Sequence, residues 1–143
     1  MKIIIEELHI INNKIVMEIN MLMKQLSSKF KGIKKNYLQE IVNNQNTKML
    51  VAKSGGKICG TACLAVICIP TGKKARIEDV VVSKDFRRNG IGFKLIHYCL
   101  EMARSLGIQY VDLTSHPRRE AANELYQRVG FVKGETNVYR YTF

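Results

Sequence analysis

The stretch from residue 75 to residue 114 constrains the fold of this chain more than any other. Residues 75–83 (ARIEDVVVS) are rich in β-branched side chains and read as a strand. After Lys84-Asp85-Phe86-Arg87-Arg88-Asn89-Gly90-Ile91-Gly92 the pattern becomes helical over 89–106. Ile91, Leu95, Tyr98, Cys99, Met102, Ala103 and Leu106 recur at three and four, while Lys94, His97, Glu101 and Arg104 take the other face. Gly107 suits the position just past a helix end, and 108–114 then reads as a buried strand. A helical crossover between strands favours a parallel pair, so the sheet is expected to change there from antiparallel hairpins to parallel pairing.

The turn itself has a chemical reading. A strand that runs into a basic, glycine-bearing turn and opens a long helix presents free N–H groups and the positive end of a dipole to an anion. Gly90 and Gly92 would let the backbone approach a phosphate closely, and Arg87 and Arg88 add charge. No Lys-Ser/Thr pair follows the second glycine, as a P-loop demands, and no third glycine completes G-x-G-x-x-G. The plainer alternative is that the glycines only tighten the turn, and this stretch alone leaves both readings open.

The rest of the chain supplies the partners. Residues 3–5, extending toward 10, read as a first strand. Helices follow over about 14–30, through Ile15, Ile19, Leu22, Met23 and Leu26, and over 35–44, through Tyr37, Leu38, Ile41 and Val42. Residues 49–53 and the apolar run from Ile58 are two strands joined by Ser54-Gly55-Gly56-Lys57, and Pro70-Thr71-Gly72 turns the chain again. A shorter helix over 117–129 packs through Ala122, Leu125 and Val129, with closing strands at 131–133 and 137–143. This order predicts an α/β (α+β) layer architecture, a mixed central sheet of about seven strands with helices on both faces. At 143 residues the chain is expected to form a single domain, 1–143, with an ordinary core.

Composition removes several classes. Charged residues are interspersed with apolar runs, and there is no low-complexity tract, which argues against disorder. The apolar stretch 58–69 is too short to span a bilayer, and Glu6 and Glu7 interrupt the N-terminus before a signal-peptide core develops, so a cytoplasmic protein is expected. Cys59, Cys63, Cys68 and Cys99 lack the spacing of a zinc or redox motif, and His9, His97 and His116 are scattered, so no metal is expected and the thiols read as small buried hydrophobes. The net charge of +11 is concentrated in residues 24–57, where eight lysines meet only Glu40. With only Phe30 and Tyr37 there to stack on bases, this reads as a solvated lysine-rich surface in preference to a nucleic-acid face.

Arg87-x-x-Gly90-x-Gly92 resembles the acyl-coenzyme A signature of the GNAT acetyltransferase superfamily, R/Q-x-x-G-x-G/A. Further on, Ala122-x-x-Leu125-Tyr126-x-x-x-Gly130-Phe131 is similar to that family's A-x-x-L-Y-x-x-x-G-F pattern, in the right order and after the right kind of strand. The resemblance covers about 75–131, and it implies a GNAT-like fold and transfer of an acetyl group from acetyl-coenzyme A, as co-substrate, to an amine acceptor. It implies that the pyrophosphate rests on the amides of Arg88, Asn89, Gly90, Ile91, Gly92 and Phe93, and that the pantetheine arm pairs with the backbone of Val80, Val81 and Val82. It also implies that Tyr126 donates to the leaving sulfur and that Asn123 contacts the arm or nearby backbone.

Aminolysis of a thioester needs a neutral amine, a donor for the developing oxyanion and an acid for the departing thiolate. On a helical wheel Arg119, Asn123 and Tyr126 share a line beside the Ala122/Leu125/Val129 stripe; a half-buried packing role is the alternative for Tyr126. The base is expected on the 75–83 strand. Strict alternation there would put Ile77, Asp79 and Val81 on one face and Glu78, Val80 and Val82 on the other, so that only one carboxylate faces the substrate. Glu78 is preferred, because Ile-Glu-Asp resembles the segment that glucosamine-6-phosphate N-acetyltransferases place near their substrate; a structural pairing of Glu78 with Arg76 is the alternative. The family commonly has Asn where Arg119 stands, so Arg119 could instead meet a phosphate, Glu120 or Glu124. The competing function is a basic nucleic-acid or regulatory binding module on the same scaffold. Terminal strands of this kind can pair between chains, which leaves a homodimer open.

Overall fold

A computed structural model describes residues 1–143. Five strands form one sheet in the order β1-β2-β3-β4-β5: β1 Ile3–Glu7, β2 Thr47–Ser54, β3 Lys57–Ile69, β4 Gly72–Val82 and β5 Val111–Asp112. The first three pairings are antiparallel and β4 with β5 is parallel, the change of sheet character expected across the long helix. Gly55 and Gly56, at φ of 57° and 78°, make the two-residue hairpin loop between β2 and β3. Four α-helices flank the sheet: α1 Asn13–Leu26, α2 Lys35–Asn43, α3 Ile91–Ser105 and α4 Glu120–Val129.

The helices divide between the two faces and each face has its own core. Leu50, Ala62, Leu64 and Ile77 meet Ile91, Leu95, Ile96 and Cys99 of α3 and Tyr126 of α4. Met49, Val51, Ile58 and Val81 meet Ile19 and Leu22 of α1 and Leu38 of α2. On α3, Ile96 is fully buried and Tyr98 lies at the margin, so the buried stripe is rotated slightly from the one the spacing suggests. The side chain of Asn12 caps α1 by accepting from Ile15 N–H at 2.9 Å. A buried carboxylate ties this helix to the sheet, for Glu18 Oε2 accepts from Ile58 N–H at 2.9 Å, beside a register shift in the β2–β3 ladder.

The sheet has five strands, fewer than the seven expected. Residues 131–133 and 137–143 form no strand, and Val138, Tyr139, Tyr141 and Phe143 are between 71% and 111% exposed. A strand needs a neighbouring edge as well as a pattern, and β5 offers only two paired residues, Val111 and Asp112, where 108–114 was expected. Helix α1 stops at Leu26, because Ser27 is extended and its N–H turns back to Met23 O. Cys59 and Cys99 are buried as expected, but Cys68 is exposed near the end of β3.

Candidate active site

The turn before α3 is shaped by its own side chains. Arg87 Nε donates to Val82 O at 3.0 Å, and Asn89 Nδ2 donates to Phe86 O and Arg87 O at 3.0 and 3.2 Å. These bonds hold the loop in a curve that passes through two left-handed residues, Arg88 (φ 64°) and Gly90 (φ 74°). Gly90 caps α3, and a Cβ there would meet nothing within 4 Å. No backbone N–H from Arg88 to Phe93 donates to another group of the protein, and the first turn of α3 carries no acidic side chain. Six consecutive amides are therefore open at the positive end of a 15-residue helix, an arrangement that fits a diphosphate. Gly92 has a different use from the one expected. Its missing Cβ faces Leu125 Cδ2 at 3.2 Å, so it lets α4 approach α3 and does not itself make room for an anion. The rings of Phe93 and His97 stack outside the turn.

From this turn an open edge runs back along β4. The pairing of β4 with β5 involves only Ala75 and Arg76, so beyond them β4 has no neighbour on that side. Ser83 N–H points the other way, to Cys59 O on β3, and alternation then turns the backbone of Val81 toward β3 as well, where it is opposite Thr61. Val80 and Val82 present their backbones to the open side, where Val80 O accepts from Arg119 Nη2 at a long 3.4 Å and Val82 O from Arg87. Of the three valines expected to meet a ligand through their backbones, Val81 is thus turned away, with its side chain buried against α1.

The strand is also bulged. The register slips between Thr61 and Cys63 on β3, so that one extra β4 residue stands opposite them, and Asp79 takes a φ of 52°. This overturns strict alternation: Ile77 belongs to the core under α3 and α4, and Val81 to the core under α1 and α2. Both carboxylates consequently line one cleft of about 260 Å³, in which Glu78 and Asp79 meet Val80, Thr114, Arg119 and Tyr126. Glu78 also makes the ion pair with Arg76 that the sequence offered as its alternative role, Nε to Oε1 at 3.0 Å. Leu26 and Ser27, at the end of α1, close the far wall; nothing in their sequence marks them.

Helix α4 supplies the opposite wall. Tyr126 is not beside the apolar stripe of α4 but at its centre, only 6% exposed and edge-on to Phe131, and it lines the cleft as well. Burial pushes its phenol above the usual tyrosine value of 10.0, while neighbouring Arg119 pulls in the opposite direction. Asn123 donates to His116 O at 3.1 Å, so its contact is with nearby backbone, and it fixes the loop ahead of α4. Arg119 makes no ion pair with Glu120 or Glu124 and reaches across to Val80 instead. No three His, Cys, Asp or Glu side chains gather as they would around a metal ion, and no helix is long and apolar enough to cross a membrane.

Comparison with known proteins adds a family match. The sequence profile of the Acetyltransferase (GNAT) family matches residues 16–131. The chain is 28% identical over 121 residues to a probable N-acetyltransferase camello of Xenopus tropicalis, covering 79% of this chain and 55% of that protein. It is 34% identical over 116 residues to N-acetyltransferase family 8 member 2 of Rattus norvegicus, covering 80% and 49%. The chain thus spans about half the length of the curated relatives it matches. Among solved structures, an aminoglycoside acetyltransferase from an uncultured soil metagenomic sample superposes with a TM-score of 0.86 at 23% identity, over 99% of this chain and 95% of that one. Glucosamine-6-phosphate N-acetyltransferase from Arabidopsis thaliana gives 0.83 at 21% identity, over 99% of both chains. These two likenesses establish the GNAT-like α+β fold.

Proposed function

This chain belongs to the Acetyltransferase (GNAT) family, and from that premise we propose that residues 1–143 act as one domain that transfers an acetyl group from acetyl-coenzyme A to a primary amine of a small molecule or protein. The observation that carries this reading is a continuous track. Six open amides at the start of α3 lead to the backbone of Val82 and Val80, which no strand covers on that side and whose carbonyls meet only the side chains of Arg87 and Arg119, and that edge leads into a cleft lined by two carboxylates and a tyrosine.

Bound acetyl-coenzyme A supplies a thioester, an acyl carbon open to attack with a thiolate as leaving group. The amides of Arg88 to Phe93 hold its pyrophosphate, with charge added by Arg88. Val80 and Val82 offer backbone groups to the extended arm once Arg119 releases Val80 O, a long bond that exchanges readily for a ligand amide. The Val80 N–H on the open edge donates to the acyl oxygen as charge develops on it. Glu78 takes a proton from the acceptor ammonium, directly or through a water, which frees the attacking lone pair; Asp79 adds to the negative field that draws the ammonium in. Tyr126, protonated at neutral pH, gives its proton to the departing sulfur, and its phenolate takes back the second proton that the nitrogen sheds as the adduct collapses, so thiol and amide both leave neutral, Tyr126 is restored, and the one proton released overall passes from Glu78 to water.

The test is direct: titrate acetyl-coenzyme A by calorimetry, then follow thiol release across a panel of amines. Saturable binding with amine-dependent release is the expected result. Binding without release for any amine would remove the catalytic reading.

A further inference from the structure

We infer that the acceptor carries an anionic group, a carboxylate or a phosphate, which seats in a second hollow next to the catalytic cleft; this rests on the acetyl-transfer reading and names its substrate class. The hollow measures about 600 Å³ and adjoins the cleft through Thr114, which lines both. The two differ in sign. The catalytic cleft sets Glu78 and Asp79 against Arg119 alone, whereas the hollow is lined by Arg76, Arg140 and His116 and by no carboxylate. Arg76 is already neutralised by Glu78, which leaves Arg140, exposed and without an ion-pair partner, as the cation available to a ligand.

A second observation points to the same place independently of charge. Ser115 also lines the hollow, and its Oγ is the one buried side-chain nitrogen or oxygen with no hydrogen-bond partner. Turned outward about its χ1 bond toward the hollow, that hydroxyl has a proton to give, and an anionic oxygen is the strongest acceptor it can meet. His116 is prepared to donate as well: its Nδ1 accepts from Arg118 N–H at 3.0 Å, which leaves the neutral ring's proton on Nε2. An ammonium group in the acidic cleft and an anion in the neighbouring hollow describe one zwitterionic acceptor, whereas a polyamine would place a second ammonium beside Arg140.

The experiment compares initial rates of thiol release from the full chain for matched acceptors: an α-amino acid against its amide, an aminoalkyl phosphate against the amino alcohol, and spermidine as a polycation. One charged member is expected to exceed its neutral partner in kcat/KM by about tenfold or more, mainly through KM, and the pair that responds identifies carboxylate or phosphate. Arg140→Gln should bring that ratio toward one and Arg140→Lys should retain most of it; Ser115→Ala should lower it by a smaller factor. Because Arg140 is exposed, these substitutions at 140 leave the fold intact. Equal or better use of neutral or polycationic amines, or a ratio that Arg140→Gln leaves unchanged, overturns the inference while acetyl transfer stands. No release with any amine removes the proposed function and the inference together.

Discussion

Tyr126 belongs both to the core under α4 and to the cleft wall, so removing its hydroxyl alone separates chemistry from packing. Tyr126→Phe keeps the ring that packs edge-on against Phe131. Its kcat is expected to fall by tenfold or more, within the roughly 10²–10⁴-fold range of general acid catalysis, at an unchanged denaturation midpoint. Because burial raises the phenol above 10.0, the wild-type rate should hold on the alkaline side through the ordinary tyrosine range. An unchanged kcat in the variant would take Tyr126 out of the reaction. Two thiols give a second prediction at this scale. Burial raises Cys63 to about 12, helped by Asp79 and Glu78, and it raises Cys99 to about 12, helped by Cys63. Their ordinary value is 9.0, so between pH 9 and 12 the folded chain binds more protons than the unfolded one and stability falls as pH rises; below pH 9 their contribution is fully present. Urea midpoints measured on both sides of pH 9 should show this decline, and Cys63→Ala should make it shallower.

The long helix depends on one small residue across from it. A Cβ at Gly60 would lie 3.2 Å from Leu95 Cδ1, 3.3 Å from Ile91 Cγ2 and 3.3 Å from Val81 O, three directions at once. Gly60→Ala is expected to destabilise by ~1–3 kcal/mol, the usual cost of overpacking, and to weaken acetyl-coenzyme A binding because Ile91 begins α3. A urea midpoint and a calorimetric titration read the two effects, and an unchanged midpoint would contradict the close packing. The same element shows which features sequence can reveal. Helix α3 and its turn were legible because an amphipathic period and two glycines are local signals, and so was the change to a parallel strand beyond them. The bulge was not, since nothing in Ile77-Glu78-Asp79-Val80 marks an extra residue; its necessity lies in the pairing with β3, and only the tolerance of Asp for a positive φ is local. That one residue reversed the facing of everything after it and brought a second carboxylate into the cleft. Residues 137–143 alternate as a strand should, but alternation does not create the neighbour a strand needs. A helical wheel places Tyr126 by its polar atom, whereas a ring of that size is buried by its area.

At the scale of the molecule, the site draws on both helical layers and on the sheet between them: Leu26 from α1, Tyr126 from α4 and the open edge of β4. Anything that fills this track binds only the folded chain and must stabilise it. At a concentration 100 times its Kd, acetyl-coenzyme A should add ~2.7 kcal/mol, which for a chain of this size raises Tm by about 5–11 °C. Net charge supplies the competing explanation, because a chain at +11 also attracts polyanions. The two differ in their dependence on salt. Amides at a helix N-terminus contact a diphosphate directly and release few ions, whereas a duplex neutralising several exposed lysines loses affinity as a steep power of salt concentration. Melting curves with acetyl-coenzyme A and with duplex RNA, at low salt and again at about 0.3 M, therefore discriminate. The expected outcome is a cofactor shift that survives the added salt, is reduced by Arg88→Ala and exceeds any residual effect of the duplex. A large duplex shift at low salt, with none from acetyl-coenzyme A at either concentration, would make the open amides before α3 and the lysines near α2 parts of a binding module on this scaffold.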